Sequence, residues 1–400
     1  VTKLAVSQII GWGTTYNLPG VLAGAFAAGY ELDRETVFLG PTVMLAVGAL
    51  ISPRIGRMIE NGDPRHMLAT GSVLAALGLL LLASGLGPAA YIGAWALFGF
   101  VMPLCLTLGA HATLVRLAGI QARRPISLLT LFTGLPATFF WPLSTWLMAE
   151  VGWQVTLCIY AGMQLAIALP LHLSIPKPPA TMPVAMPMAL PPTTTPATKP
   201  PARLRQAKSP GPTRVAFALV ALAMSLQGSI TWALHLHLPA IFGGLGADTA
   251  LAITLASLIG PMNLAGRLIE IWLGARVGAL RLAIAATAML VLTFAMVLLA
   301  QGDTVMIAFL LLYGAMSGLM TVLRAVLPLD LWGPAGFASL SGRLALPQQL
   351  VFATAPLLAA AILSGGGITA MLMTALICVL AAEVGLVALW FVMRPSRRQT

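Results

Sequence analysis

Apolar positions in this chain gather into long runs rather than alternating with polar ones. Twelve runs are each long enough to cross a bilayer as a helix: 4–28, 36–57, 66–86, 89–114, 126–149, 153–174, 214–242, 249–272, 280–300, 303–325, 338–364 and 368–393. A spanning helix needs about 20 predominantly apolar residues, and a helix satisfies its own backbone polar groups in lipid. Between the sixth and seventh runs the pattern changes to "PKPPATMPVAMPMALPPTTTPATKPPARLRQAKSPGPT". Proline at that density prevents a packed helix and predicts an extended, solvated linker. The pattern therefore predicts an all-α integral membrane protein with twelve transmembrane helices. Residues 1–174 and 214–400 form two six-helix bundles, joined by a Pro-rich basic cytoplasmic linker at 175–213.

Composition agrees with the pattern. The chain is 59% hydrophobic and 8% charged, with a mean hydropathy of +0.94, whereas soluble domains carry roughly a quarter charged residues. The net charge of +11, from 22 basic and 11 acidic residues, first suggests nucleic acid, but its distribution gives a better account. With both termini inside, Lys3, Arg54, Arg57, Arg65, Arg123, Arg124, the linker, Arg276, Arg281, Arg394, Arg397 and Arg398 are all cytoplasmic. Only Arg34 falls outside, among Glu31, Asp33, Glu35, Glu150, Asp248 and Asp303. That is the positive-inside bias, so no nucleic-acid partner is expected. The linker's Lys199, Arg203, Arg205 and Lys208 suit a solvated tether or contact with anionic lipid head groups.

Cys105, Cys158 and Cys378 all lie in apolar runs and offer neither metal-ligand spacing nor a disulfide framework. The first run is as long as a full span, unlike a cleavable signal peptide, and a start at Val1 predicts a trimmed or partial amino terminus. There is no Gly-Lys-Ser/Thr phosphate loop, no His/Cys/carboxylate cluster with metal spacing and no nucleophile elbow. Neither an enzyme nor a cofactor is expected.

The two halves echo one another. "FLGPTVMLAVG" in the second run and "SLIGPMNLAG" in the eighth both set Gly-Pro mid-helix, at Gly40-Pro41 and Gly260-Pro261. "TLVR" ends the fourth at Arg116 and "TVLR" ends the tenth at Arg324. Each is followed by a run with an internal proline, Pro142 or Pro356. Parallel six-span repeats with Gly/Pro-interrupted helices place a solute site between the halves, near the midplane.

These features resemble the major facilitator superfamily. The loop "GRMIENGDPRH", with Gly56, Glu60, Gly62 and Arg65, is similar to that family's glycine-acid-basic loop. Glutamate stands here in place of its aspartate, and the second glycine comes one place early. The resemblance implies a gating-loop role for Gly56, Glu60 and Arg65. "GWGTTYNLPGVLAGAF", "RRPISLLTLFTG", "GPMNLAGRLIE" and "VLRAVLPLDLWG" look most like the bacterial branch near monocarboxylate and oxalate/formate carriers. In those carriers an arginine of the eighth span is implicated in anion binding, and Arg267 stands at the matching position. Asn263 occupies the place where animal monocarboxylate carriers often have an aspartate, and their first-span lysine is absent here. His237 matches a position where related bacterial carriers often have histidine.

Ionisable residues inside membrane spans suggest function by default, and each also has a structural reading. If the eighth span is 249–272, Arg267 lies about 9 Å from its centre and roughly 6 Å from the inner boundary, within snorkelling reach. Helical side chains lean toward their own N-terminus, so on this outside-to-inside helix Arg267 starts out aimed at the membrane centre. It faces either a substrate anion or, one turn on, Glu270 as an ion pair. His235 and His237 are two residues apart, about 200° around a helix, so at most one faces a cavity. His237 is the candidate, as a proton-coupling group or a packing histidine. His111 reads as structural. Glu383, mid-span in the twelfth helix, is either a proton carrier or a protonated carboxyl bonded to a neighbouring helix. Trp12, Thr14, Tyr16 and Asn17 precede Pro19, whose ring frees a carbonyl and opens the helix; Tyr16 and Asn17 are cavity candidates. Gln348, with Gln349, offers hydrogen bonds in the eleventh span. Arg116, Arg324 and Arg343 read as anchors or latches at helix ends.

The expectation is a secondary active transporter of the bacterial inner membrane, working by alternating access as a monomer. It moves a small, carboxylate-like organic anion together with protons or against a counter-anion. The substrate contacts are Arg267, Asn263, His237, Tyr16, Asn17 and Gln348, with Glu270 and Glu383 as coupling or ion-pair groups. The alternatives are an exporter of hydrophobic or drug-like compounds, and a transport-inactive sensor or scaffold acting through the linker.

Overall fold

The computed structural model describes residues 1–177, 212–274, 276–300 and 302–393. Most of the linker predicted at 175–213, including Lys199, Arg203, Arg205 and Lys208, and Arg394, Arg397 and Arg398 lie outside the described residues.

Among the described residues, fifteen α-helices make up twelve spans. The first span is α1 (Thr2–Gly13) and α2 (Pro19–Tyr30), and the second and third are α3 (Arg34–Asn61) and α4 (Pro64–Ala83). The fourth is α5 (Pro88–Cys105) with α6 (Thr107–Ala118), and the fifth begins as α7 (Arg123–Phe132). It continues into α8 (Pro136–Met163), which reverses direction at Gly152 (φ 78°). The sixth span then passes through a π-helical turn (Gln164–Ala168) into α9 (Leu169–Leu173). The second half holds α10 (Arg214–Gly244), α11 (Thr249–Ser257) with α12 (Ile259–Leu273), α13 (Ala279–Leu299) and α14 (Asp303–Trp332). α15 (Phe337–Met393) supplies the eleventh and twelfth spans, folded back at Gly367 (φ 69°). A positive φ is strained for a residue with a Cβ, so glycine makes both tight reversals possible.

The interrupted spans break where the sequence departs from helix formers. α1 ends at Gly13 and α2 restarts with Pro19 at its first position, where a missing N–H costs nothing. The Asn17 side chain donates to the Trp12 carbonyl (3.0 Å) within the break. α11 gives way to α12 at Leu258, just before Gly260-Pro261.

One end of α14 lies beyond the sequence expectation. The apolar run in the sequence ends at 325, with Arg324 at its end, whereas α14 continues through Pro328 to Trp332 and stops at Gly333 (φ 76°). Arg324 therefore sits two turns inside the helix.

The apolar core is continuous at the end of the bundle that carries the first helix's start. One buried cluster runs from Leu4 and Ile59 in the first half to Leu323, Phe337 and Leu389 in the second. A separate cluster, including Leu234, Phe294 and Tyr313, belongs to the second half alone. Packing between the halves uses α7 against α12 and α14, and α3 and α6 against α15. The halves are thus closed at this end, called here the termini side. Large apolar side chains such as Leu50, Leu299 and Val384 remain exposed around the bundle, as lipid contact requires.

Candidate functional site

A cavity of about 400 Å³ lies between the halves, within the roughly 300–1,000 Å³ typical of small-molecule sites. Its walls come from both: Trp12, Tyr16 and Asn17 beside the first-span break, His111 of α6 and Thr130 of α7 on one side, and Trp232, Arg267, Arg324 and Gln348 on the other. Among the described lining residues none is acidic.

Arg267 reaches across the halves. Its Nη1 donates to the Thr130 carbonyl at 2.5 Å, while its Nε has no partner among the described residues. A Cβ built on Gly134 would stand 2.5 Å from that Nη1, so the Thr133–Leu135 break after α7 makes the guanidinium's seat. Arg324 lines the same cavity. Its Nη2 donates to Thr321 Oγ1 (3.2 Å) one turn back on α14, and its guanidinium lies over the Phe352 ring (5.4 Å). Its Nη1 has no partner among the described residues. Arginine stays charged in any protein environment, so both residues bring positive charge to the same cavity. The remaining wall is aromatic. Trp12 meets Tyr16 edge-on at 5.9 Å, Tyr16 meets Trp232 across the halves at 5.2 Å, and Trp232 stacks on Phe352 at 5.9 Å.

The structure sorts the sequence candidates. Arg267, Tyr16, Asn17 and Gln348 line the cavity. Asn263 and His237, expected as substrate contacts, do not. The Asn263 amide lies 3.3 Å from His235 Nε2 on α10, and His237 Nε2 is 3.4 Å from the Pro356 carbonyl. Asn263 sits where α12 presses against Gly318 of α14, and a histidine two places from His235 falls on another face of α10. Glu383 lies on the twelfth span away from the cavity, with Oε2 unpartnered among the described residues. His111, expected as structural, lines the cavity with Nε2 unpartnered among the described residues. Arg324, expected as an anchor or latch at a helix end, lines the cavity because α14 runs on to Trp332. Trp232 and Phe352 carried no signal beyond being apolar, because only tertiary packing brings these rings to the cavity.

Glu270 is an ion-pair residue, but its partner is not Arg267. Arg123 at the start of α7 approaches Glu270 Oε1 at 3.4 Å and Asp330 Oδ1 at 3.3 Å, and its Nη2 donates to the Val277 carbonyl (3.3 Å). Asp330 also accepts from the Ala279 N–H (2.9 Å) at the start of α13. Arg123 therefore ties the first half to three elements of the second, on the termini side. The Glu60 carboxylate accepts from Gly336 N–H (3.2 Å) and Ala338 N–H (3.1 Å) at the start of α15, where the helix dipole favours negative charge. A Cβ on Gly56 would collide with the Ala338 carbonyl, and one on Gly342 with that of Ser52, so α3 and α15 cross with backbones touching. Arg65 takes no part in this contact; it binds Asp63 of its own loop (2.7 Å). That pairing holds the Asp63 carboxyl down at about 2.

Two linked six-helix bundles around a central cavity define the class: the chain has the fold of the major facilitator superfamily transporters and is a multi-pass membrane protein. No protein-family profile matches it. Over 320 residues, 77% of this chain and 70% of the relative, it is 28% identical to monocarboxylate transporter 13 of Bos taurus. Its structure is similar to FucP in the outward conformation (TM-score 0.68, 16% identity, 96% of this chain and 97% of that one). It is similar also to the human organic anion transporter MFSD10, or TETRAN (TM-score 0.69, 15% identity, 96% and 97%). These proteins are transporters rather than enzymes.

Proposed function

We propose that this protein is a secondary active transporter of small organic anions, carrying them by alternating access together with a proton or against a counter-anion. The observation that supports the substrate class is Arg267. Its obvious acidic partner, Glu270, is committed to Arg123, and Arg267 itself faces a cavity with no acidic lining residue among those described. A charge at membrane depth without a counter-charge costs several kcal/mol, and an arriving anion removes that cost. The anionic substrates named for the monocarboxylate and organic anion transporters agree with this reading. The positive-inside bias supports cytoplasmic termini, and the resemblance to bacterial carriers supports an inner-membrane protein. The termini-side end, closed in this structure, is then the cytoplasmic gate, and 175–213 is a tether between the bundles.

The experiment is a thermal-shift panel of organic anions and neutral compounds on purified protein, followed by uptake of the stabilising anion into proteoliposomes. Arg267→Ala is expected to abolish the shift and the uptake while the ligand-free melting temperature stays within a few degrees. Near-normal uptake by that variant would sink the anion reading. It would favour the second one, export of hydrophobic compounds, for which the Trp12–Tyr16–Trp232–Phe352 wall is the motivating observation.

A further inference from the structure

Arg116 and Arg324 end corresponding sequence motifs in the two halves, yet their surroundings are opposite. Arg116 shows what a structural arginine looks like here: its Nη1 donates to the Ile59 (2.8 Å), Glu60 (3.3 Å) and Gly62 carbonyls and closes the end of α3. Arg324 has no such set. Its hydrogen bond is to a threonine on its own helix, its face rests on a phenyl ring and Nη1 is unpartnered among the described residues. It opens onto the same acid-free cavity as Arg267.

We infer that Arg324 is a second anion anchor, and that the cavity is a two-point receptor for organic dianions, dicarboxylates with an apolar or aromatic body. The inference rests on the anion-transport reading above. Charge balance carries it. Both guanidiniums bring positive charge to the one cavity, so a monoanion leaves one positive charge uncompensated, whereas a dianion neutralises both. Rigidity supports it too. Gly266, the residue before Arg267, packs against the Ala315 carbonyl of α14, and Gly318 packs against the Asn263 carbonyl of α12. With the two backbones in contact, the spacing between the helix positions that carry the arginines is set within the second half. Preorganised spacing of this kind favours a ligand whose two carboxylates match it. The aromatic wall then receives the uncharged part of the ligand.

The test compares phenylsuccinate with 3-phenylpropionate, which lacks the second carboxylate, on the purified full chain at a pH of about 8, where every carboxyl is ionised. The dianion is expected to bind roughly tenfold tighter, the scale of one added charge-assisted contact. Arg324→Gln should bring the two affinities together while 3-phenylpropionate still binds through Arg267, which also reports that the variant is folded. Arg324→Lys should restore a preference for the dianion. A preference unchanged by Arg324→Gln, or a wild-type protein that prefers the monoanion, overturns the inference and leaves the anion reading standing. Binding of neither acid, with 3-phenylpropanamide bound, overturns both.

Discussion

Arg123 is where the closed termini side is most exposed to perturbation. Glu270 is 1% exposed and Asp330 26% exposed in the ion pairs they make with it. Removing one partner of a buried pair leaves the other as an uncompensated charge, which costs about 3–5 kcal/mol in well-formed cases. The contacts here, at 3.3–3.4 Å, are longer than ideal, so a cost of about 2–3 kcal/mol is the reasoned figure for Arg123→Gln. That cost falls on the closed arrangement, because separating the halves lets water reach Glu270. The closed-to-open ratio at this end should then drop by roughly 30- to 150-fold. Spin labels at Gln121 and Arg276, both exposed and one on each half, read the change by pulsed dipolar spectroscopy once Cys105, Cys158 and Cys378 are replaced. Arg123→Gln should add a longer-distance population. The charge swap Arg123→Glu with Glu270→Arg should partly recover the short one. An unchanged distance distribution in Arg123→Gln would refute the view that this network holds the end shut.

Two further expectations follow from particular contacts. Gly134→Ala puts a methyl group 2.5 Å from Arg267 Nη1. The flexible guanidinium should swing off the Thr130 carbonyl, lowering anion affinity by roughly tenfold with little change in melting temperature; an unchanged affinity would show that the Gly134 seat does not position Arg267. Asp63, held at about 2 by Arg65 against about 3.9 for a free aspartate, contributes stability that is complete above the unfolded value. That stability is lost as pH falls through about 2. Asp63→Asn should remove this acid limb while its amide oxygen still accepts the Arg65 N–H at the start of α4, whereas Asp63→Ala loses that cap (3.0 Å) as well. The cap is worth about 1 kcal/mol, measured as the unfolding midpoint against pH.

The sequence by itself determined the spans. Runs of about 20 apolar residues have one stable form in lipid, because only a helix satisfies its own backbone there, and all twelve runs return as spans with shifted ends. Local chemistry was legible for the same reason. Pro19 predicted the break that brings Tyr16 and Asn17 to the cavity, and the lean of a helical side chain toward its N-terminus predicted that Arg267 points inward.

Tertiary structure decided what is set by residues far apart in the chain. Glu270 lies one turn from Arg267, so sequence neighbours suggested that pair. Its actual partner is 147 positions away, because α7 delivers Arg123 to the same corner. The apolar run reads as ending at 325, next to Arg324, but packing carries α14 through Pro328 to Trp332 and leaves the charge at the cavity. Hydropathy is a property of each residue, whereas an ion pair or a cavity wall depends on two helices meeting. Repeats as similar as those ending in Arg116 and Arg324 can therefore hold a helix end in one half and an open cationic site in the other.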